Sequence, residues 1–199
     1  MAIGRYFIAL LPDEDSLAEL RMLQNKLLAL DRAVYKTSLP IHITLKETFA
    51  TPDIRALEKE LSVIAKNYSP FLVKVEGFEI FNQRCVVLKT SNPNPLQSLH
   101  GNSIDLANRY RVDELRGGLL KACMSDKQKE YLLKYNNIFV KEFFTPHITL
   151  VYLRQKKKEY KVRDFLNENN LDIAMKCLGI TIVDKKDNKP RVSFPFQRK

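Results

Sequence analysis

The residues best suited to chemistry in this chain lie in one four-residue sequence that occurs twice. His-Ile-Thr-Leu stands at residues 42–45 and again at residues 147–150, and both copies follow closely on a proline. The 199 residues contain only one other histidine, His100. An imidazole gains or loses a proton near neutral pH, and a hydroxyl donates a hydrogen bond to an oxyanion. Two such pairs could cleave a phosphodiester, with one histidine as base and the other as acid.

The spacing within each copy predicts which side chains work together. In a β-strand, residues i and i+2 point to the same face, so His42 and Thr44 would project together while Ile43 and Leu45 enter an apolar layer. The same holds for residues 147–150. A lone His-x-Thr pair on a strand usually serves packing, but its repetition favours a site. We therefore predict that His42 and His147 are catalytic and face one another across a cleft.

Three further site residues are assigned from their position. Thr44 and Thr149 are predicted to hold the non-bridging phosphate oxygens. Lys46 continues the 42, 44, 46 face and would either add a cation beside the phosphate or turn to solvent at the end of the strand. His100, in "SLHGN", has no hydroxyl two residues later and is predicted to be a structural or surface residue.

The sequence predicts neither a metal nor a cofactor. Cys85, Cys123 and Cys177 are far apart, and no Cys/His or carboxylate cluster has metal-ligand spacing. We interpret the cysteines as reduced thiols of a cytoplasmic protein. ATP-dependent ligation lacks support, because there is neither a K-x-D-G signature nor a phosphate-binding loop.

The elements around the motifs form two similar sets. Apolar periodicity predicts strands at 4–12, 40–48, 71–81, 85–91 and 146–153, helices at 13–31, 51–68, 94–110, 126–135 and 161–170, and a closing hairpin from "DIAMKCLGITIVD" and "PRVSFPFQ". Each set contains a His-Ile-Thr-Leu strand, a helix and a strand pair. This order predicts a duplicated α+β unit. Because no linker separates the two sets, we expect one bilobal domain over residues 1–199. Segment 111–136 is less regular and would be a lid or, as we favour, a mere excursion.

Composition narrows the class of partner. With 45% hydrophobic and 28% charged residues, the chain is typical of a soluble globular protein, and no apolar run could span a membrane. The net charge of +10 favours RNA, DNA or phosphorylated small molecules. Much of it lies in segments 154–163 and 184–191, which we expect to steer an anion without touching the chemistry. We expect a monomer.

The paired H-x-T-x motifs, about a hundred residues apart, resemble those of the 2H phosphoesterase superfamily. That group includes the 2′-5′ RNA ligase-like proteins and the cyclic nucleotide phosphodiesterases. "RYFIALLP" is similar to its opening strand and "HITLKETF" to its first motif, and the resemblance extends over about residues 4–197.

The resemblance implies an α+β fold of two pseudo-symmetric lobes, with antiparallel sheets flanking a central cleft and helices outside. It implies cleavage of 2′-5′ linkages or opening of 2′,3′-cyclic phosphates without metal or nucleotide cofactor. By motif position, His42 would be the acid and His147 the base. Bacterial members sometimes place Arg five residues after the second histidine; here that position is Tyr152, and Arg154 follows two residues later.

Two functions remain open at this point. The first is a metal-independent phosphoesterase acting on RNA, an oligonucleotide or a cyclic nucleotide. The second is a nucleic-acid-binding protein of the same fold with little or no turnover. The first is favoured, because a pure binder has no need of two matched histidines.

Overall fold

The computed structural model describes residues 3–112, 124–169 and 171–197, which form an α+β fold. The helices of this part of the chain are α1 (Glu14–Leu30), α2 (Ile54–Lys66), α3 (Asn94–Tyr110), α4 (Asp126–Tyr135) and α5 (Glu159–Glu168). Its strands are β1 (Gly4–Leu10), β2 (Val34–Tyr35), β3 (Ile43–Thr51), β4 (Phe71–Phe81), β5 (Cys85–Thr90), β6 (His147–Leu153), β7 (Ala174–Cys177), β8 (Gly179–Asp184) and β9 (Lys189–Pro195). The predicted fold class is confirmed.

The strands pair in two antiparallel groups of four. Their order is β7-β4-β5-β6-β3-β1-β8-β9, and the short β2 pairs with β6 outside this path. The groups β7-β4-β5-β6 and β3-β1-β8-β9 meet where β3 lies against β6. The ladder of that junction is a single antiparallel pairing, Ile43 with Ile148. Both His-Ile-Thr-Leu copies therefore lie at the line where the two groups of strands join.

Each group of strands contains one strand that lies, along the chain, next to the motif of the other group. β4 follows the first His-Ile-Thr-Leu copy along the chain, yet it pairs with β5 in the group that contains the second copy. β8 follows the second copy, yet it pairs with β1 beside the first. The repeated unit is thus strand, helix, strand, helix, strand, with its last strand exchanged between the two groups.

The helices cover one side of the sheet and bury its apolar layer. On α1, Leu20, Leu23 and Leu27 recur at helical spacing and pack in the same core as Ile8 and Leu10 of β1. The apolar residues of both motifs enter this core and are at most 2% exposed: Ile43, Leu45, Ile148 and Leu150. Within each His-Ile-Thr-Leu copy, the isoleucine and the leucine therefore face the apolar core, as predicted.

The predicted closing hairpin is only partly right. The stretch before the turn divides into β7, which pairs with β4, and β8, which pairs with β1 and β9. The break falls at Leu178, directly before Gly179. A Cβ at Gly179 would lie 2.4 Å from the carbonyl oxygen of Phe194, so a larger residue could not pack there. The two-residue β2 was not predicted, because so short a strand has no periodicity.

Segment 111–136 is described only in part. α4 begins with a capping box between Ser125 and Gln128 and contributes Tyr131 and Tyr135 to a small core with Ile104 of α3. Residues 113–123, including Cys123, lie outside the described residues, so the choice between lid and excursion stays a prediction. No helix in the described ranges has the length and apolarity needed to cross a membrane.

Candidate active site

The junction of β3 and β6 brings the four predicted His and Thr residues together. Because Ile43 pairs with Ile148 in an antiparallel ladder, His42 lies opposite Thr149 and Thr44 lies opposite His147. The two isoleucines point to the helices, so these four side chains share the other face. We call them the tetrad.

Each histidine of the tetrad is anchored in the same way. The Nδ1 atom of His42 lies 2.7 Å from the carbonyl oxygen of Pro40, and that of His147 lies 2.9 Å from the carbonyl oxygen of Thr145. A carbonyl only accepts hydrogen bonds, so Nδ1 carries the hydrogen and donates it in both rings. The Nε2 atom is left to act on a ligand.

The two histidines share one further feature and differ in another. Each ring contacts a phenyl ring: Phe7 at 5.0 Å from His42 and Phe81 at 5.2 Å from His147. The Nε2 atom of His42 also accepts a hydrogen bond from the Thr44 hydroxyl, at 3.0 Å. Burial lowers the pKa of His42, with smaller contributions from the charges of His147 and Lys185, against the opposing effect of the bond to Pro40. His42 is therefore neutral at neutral pH.

The first motif ends in a β-bulge that reverses its faces. Thr44 pairs with Ala9 of β1 and Lys46 pairs with the adjacent Ile8, so Leu45 is the extra residue. Since Ala9 and Ile8 point to opposite sides of the sheet, so do Thr44 and Lys46.

The prediction for Lys46 is therefore wrong. Its side chain does not continue the face of Thr44 and does not turn to solvent either: it is 2% exposed, on the helix side, with Nζ 5.8 Å from the ring of Phe49. The strand-parity argument failed because it assumed a regular strand. Beyond the bulge, Glu47 and Thr48 line the cavity of about 190 Å³ beside His42.

A matching bulge follows Thr149 in the second motif. Thr149 pairs with Val87 of β5, Val151 with Val86 and Tyr152 with Cys85, so Leu150 is the extra residue. Val87 and Cys85 are two residues apart and share a face. Tyr152 therefore returns to the face of Thr149, where regular alternation would have placed Val151.

The side chains beside Thr149 are a thiol and a phenol. Cys85 Sγ lies 3.8 Å from Thr149 Oγ1. Burial raises the pKa of Cys85, and burial together with Cys85 raises the pKa of Tyr152 to about 12. Both groups are protonated at neutral pH and can donate hydrogen bonds. The ring of Tyr152 contacts Tyr35 at 5.8 Å, and the Arg154 guanidinium lies 5.5 Å from the Tyr35 ring.

Each bulge carbonyl is held by a helix from the other part of the sequence. Leu45 O accepts a hydrogen bond from His100 Nδ1 of α3 at 2.8 Å. Leu150 O accepts one from Gln24 Nε2 of α1 at 2.6 Å. α1 precedes the first motif but supports the second, and α3 precedes the second but supports the first. The supports are thus reciprocal, like the exchanged strands.

His100 also binds the loop that leads into the second motif. Its Nε2 accepts a hydrogen bond from the backbone N–H of Lys141 at 3.1 Å, and its ring stacks on Phe144 at 3.7 Å. The side chain is 2% exposed. Of the two roles predicted for His100, structural or surface residue, the structure therefore shows the structural role. Both hydrogen bonds require the neutral Nδ1–H form.

Lys185 was missed as a site residue. We expected segment 184–191 only to steer an anion, but Lys185 lines the His42 cavity and its charge contributes to the lowered pKa of His42. Its Nζ donates to Asn188 Oδ1 at 3.0 Å. No sequence pattern could have indicated this, because strand exchange carries the β8–β9 turn to the first motif. In the described part of the chain, no group of three or more His, Cys, Asp or Glu residues could hold a metal ion.

Comparisons with known proteins agree with this architecture. A sequence model of the 2′-5′ RNA ligase superfamily matches residues 11–189. The structure of TT0787 of Thermus thermophilus is 16% identical, covers 96% of this chain and 97% of its own, and has a TM-score of 0.57. The structure of E. coli LigT in apo form is 16% identical over 100% of both chains, with a TM-score of 0.56. No curated protein sequence matches the chain.

Proposed function

Because the chain belongs to the 2′-5′ RNA ligase superfamily, we propose that it is a metal-independent phosphoesterase for RNA-type phosphodiesters, either 2′-5′ linkages or 2′,3′-cyclic phosphates. The observation that carries the proposal is the tetrad, in which two anchored imidazoles and two hydroxyls share one face. E. coli LigT, which has a similar fold, has been solved in complex with phosphate and with 3′-AMP. This supports a nucleotide phosphate as the ligand of the present site.

The geometry suits a single displacement at phosphorus. With the phosphate over the tetrad, the Thr44 hydroxyl turns from His42 Nε2 to the phosphate, which frees Nε2 to act as a base. Thr44 and Thr149 then donate hydrogen bonds to the non-bridging oxygens. The neutral His42 takes a proton from the attacking water at Nε2, the new P–O bond forms, and the bond to the 2′ or 3′ oxygen breaks. Protonated His147 gives its Nε2 proton to that leaving oxygen. The lowered pKa of His42 supports this order, which reverses the one that the resemblance implied.

Hydrolysis should not depend on a divalent metal. The test is a panel of 2′,3′-cyclic nucleotides, 2′-5′ and 3′-5′ oligoadenylates and cyclic dinucleotides, assayed with and without EDTA. We expect equal rates in both arms, because the described residues offer no metal-ligand cluster. Activity that disappears with EDTA and returns with a divalent cation would contradict the mechanism.

The pH profile should identify the base. Since kcat/KM needs one neutral and one protonated imidazole, it should trace a bell, whose limbs belong to the coupled pair. The lowered pKa of His42 places the acidic limb below the ~6.5 of an ordinary histidine. Lys185→Gln removes a charge that lowers this pKa, so the acidic limb should move to higher pH. Lys186→Gln is the control, and a limb that Lys185→Gln leaves in place would count against His42 as the base.

The alternative function remains a nucleic-acid-binding protein with little turnover, supported by the net charge of +10. The same panel separates the two functions. Oligonucleotide binding without hydrolysis of any substrate would favour the binder.

A further inference from the structure

A second cavity lies between α1 and the segment 36–41 that leads into the first motif. Its volume is about 400 Å³, roughly twice that of the cavity beside His42. Leu17, Arg21 and Gln24 line one wall at helical spacing, and residues 36–41 form the other. We call this cavity the α1 groove. Small-molecule sites have volumes of about 300–1,000 Å³, so the α1 groove could hold a nucleotide, whereas the cavity beside His42 is too small.

The α1 groove adjoins the cavity beside His42. Leu39 lines both cavities, and Pro40, which lines the groove, is the residue whose carbonyl anchors His42. A ligand with one phosphate over the tetrad can therefore extend past Leu39 into the groove.

The charges along the α1 groove suit an anion. Arg21 and Lys36 line it, while no carboxylate side chain does. Among the described residues neither cation has an ion-pair partner, whereas Lys158 and Lys161 nearby both pair with Asp31. An unpaired guanidinium and ammonium on one groove can bind a phosphate without first giving up a carboxylate.

The wall formed by residues 36–41 is already ordered for binding. Ser38 Oγ accepts a hydrogen bond from Asn188 Nδ2 at 2.7 Å, and Thr37 Oγ1 accepts one from the Leu39 N–H at 3.3 Å. Each hydroxyl keeps its own hydrogen to donate to a phosphate oxygen. These two bonds hold the segment at Ser38 and Thr37 before a ligand arrives, which lowers the conformational entropy that binding costs.

We propose that the α1 groove binds the nucleotide adjacent to the scissile phosphate, with Arg21 and Lys36 neutralising that nucleotide's own phosphate. The substrate class is then an oligonucleotide rather than a mononucleotide. This inference rests on the proposed function and adds the substrate class for the same site.

The test compares two substrates on two charge-matched variants. Arg21→Ala/Lys36→Ala removes the groove cations, and Lys26→Ala/Lys59→Ala removes two exposed lysines that line neither cavity. The substrates are a short oligoadenylate ending in a 2′,3′-cyclic phosphate and 2′,3′-cyclic AMP. In the groove variant the ratio of their kcat/KM values should fall about tenfold. The salt slope of log kcat/KM for the oligoadenylate should also flatten by about 0.7 for one lost phosphate contact.

Two outcomes overturn the proposal: an equal loss on both substrates, or the same loss in the control variant. If nothing in the panel is hydrolysed, the proposed function fails but the groove can still be tested. Fluorescence anisotropy of a labelled oligoadenylate should then show about tenfold weaker binding to the groove variant than to the control variant. Equal affinities would remove the groove assignment.

Discussion

His42→Ala and His147→Ala should each lower kcat/KM by about 10²-fold or more. Each change removes an Nε2 atom that moves a proton, and water at the same place is a weaker acid and base. The double variant should lose little beyond the worse single variant, because proton removal and proton delivery belong to one step. Thr44→Ala and Thr149→Ala should be milder, since each removes one hydrogen bond to the phosphate. Steady-state kinetics on the best substrate of the panel gives all five values.

The controls for this experiment separate chemistry from folding. Circular dichroism and thermal melting should show that the alanine variants at positions 42 and 147 are folded. Additive losses in the double variant would mean that the two histidines act independently. Retention of more than about a tenth of wild-type kcat/KM by either single variant would remove that histidine from the mechanism.

His100→Ala should lower the free energy of unfolding by about 3–5 kcal/mol, although His100 touches no substrate. The change opens a cavity under Phe144 and leaves Leu45 O and the Lys141 N–H without their partner. His100→Gln keeps one donor and one acceptor, so it should lose less. Chemical denaturation at pH 7 measures both variants. A His100→Ala protein as stable as wild type would show that the two hydrogen bonds contribute nothing.

The same residue should make stability depend on pH. Burial lowers the pKa of His100 to about 4, with help from the charges of Lys141 and Lys46 and against the bond to Leu45 O. An unfolded chain binds this proton near pH ~6.5, so the folded state loses stability as pH falls from there towards 4. The full contribution, on the order of 3 kcal/mol, is present above pH ~6.5. In His100→Gln this part of the acid dependence should be absent; an unchanged slope would contradict it.

The order of the elements predicted the α+β fold class, and the repeated motif picked out four residues that the structure brings together. The reason is local: the i, i+2 rule and the apolar Ile and Leu place each His and Thr on one face without knowledge of the neighbouring strands. The i, i+2 rule fails at Lys46, because the strand is not regular there. The bulge at Leu45 exists because of how β3 pairs with β1, and no pattern within residues 42–46 indicates that pairing.

Lys185 and Gln24 could not be assigned for a related reason. Each reaches its motif from an element distant in sequence: the β8–β9 turn brings Lys185 to the first motif, and α1 brings Gln24 to the second. Sequence periodicity predicts elements well, but it does not say which elements meet. Tyr152 was noticed only as a departure from the expected arginine, and the bulge at Leu150 is what turns it towards Thr149.

The exchanged strands also affect how the protein is made. β1 leaves the ribosome before both motifs, but the strand that covers its second edge, β8, is synthesised only after them. Until then that edge of β1 has unpaired N–H and C=O groups, which can pair with other newly made chains. Such long-range pairing is also slow to form. The sheet around the first His-Ile-Thr-Leu copy is therefore begun before the second copy is synthesised and completed only after it.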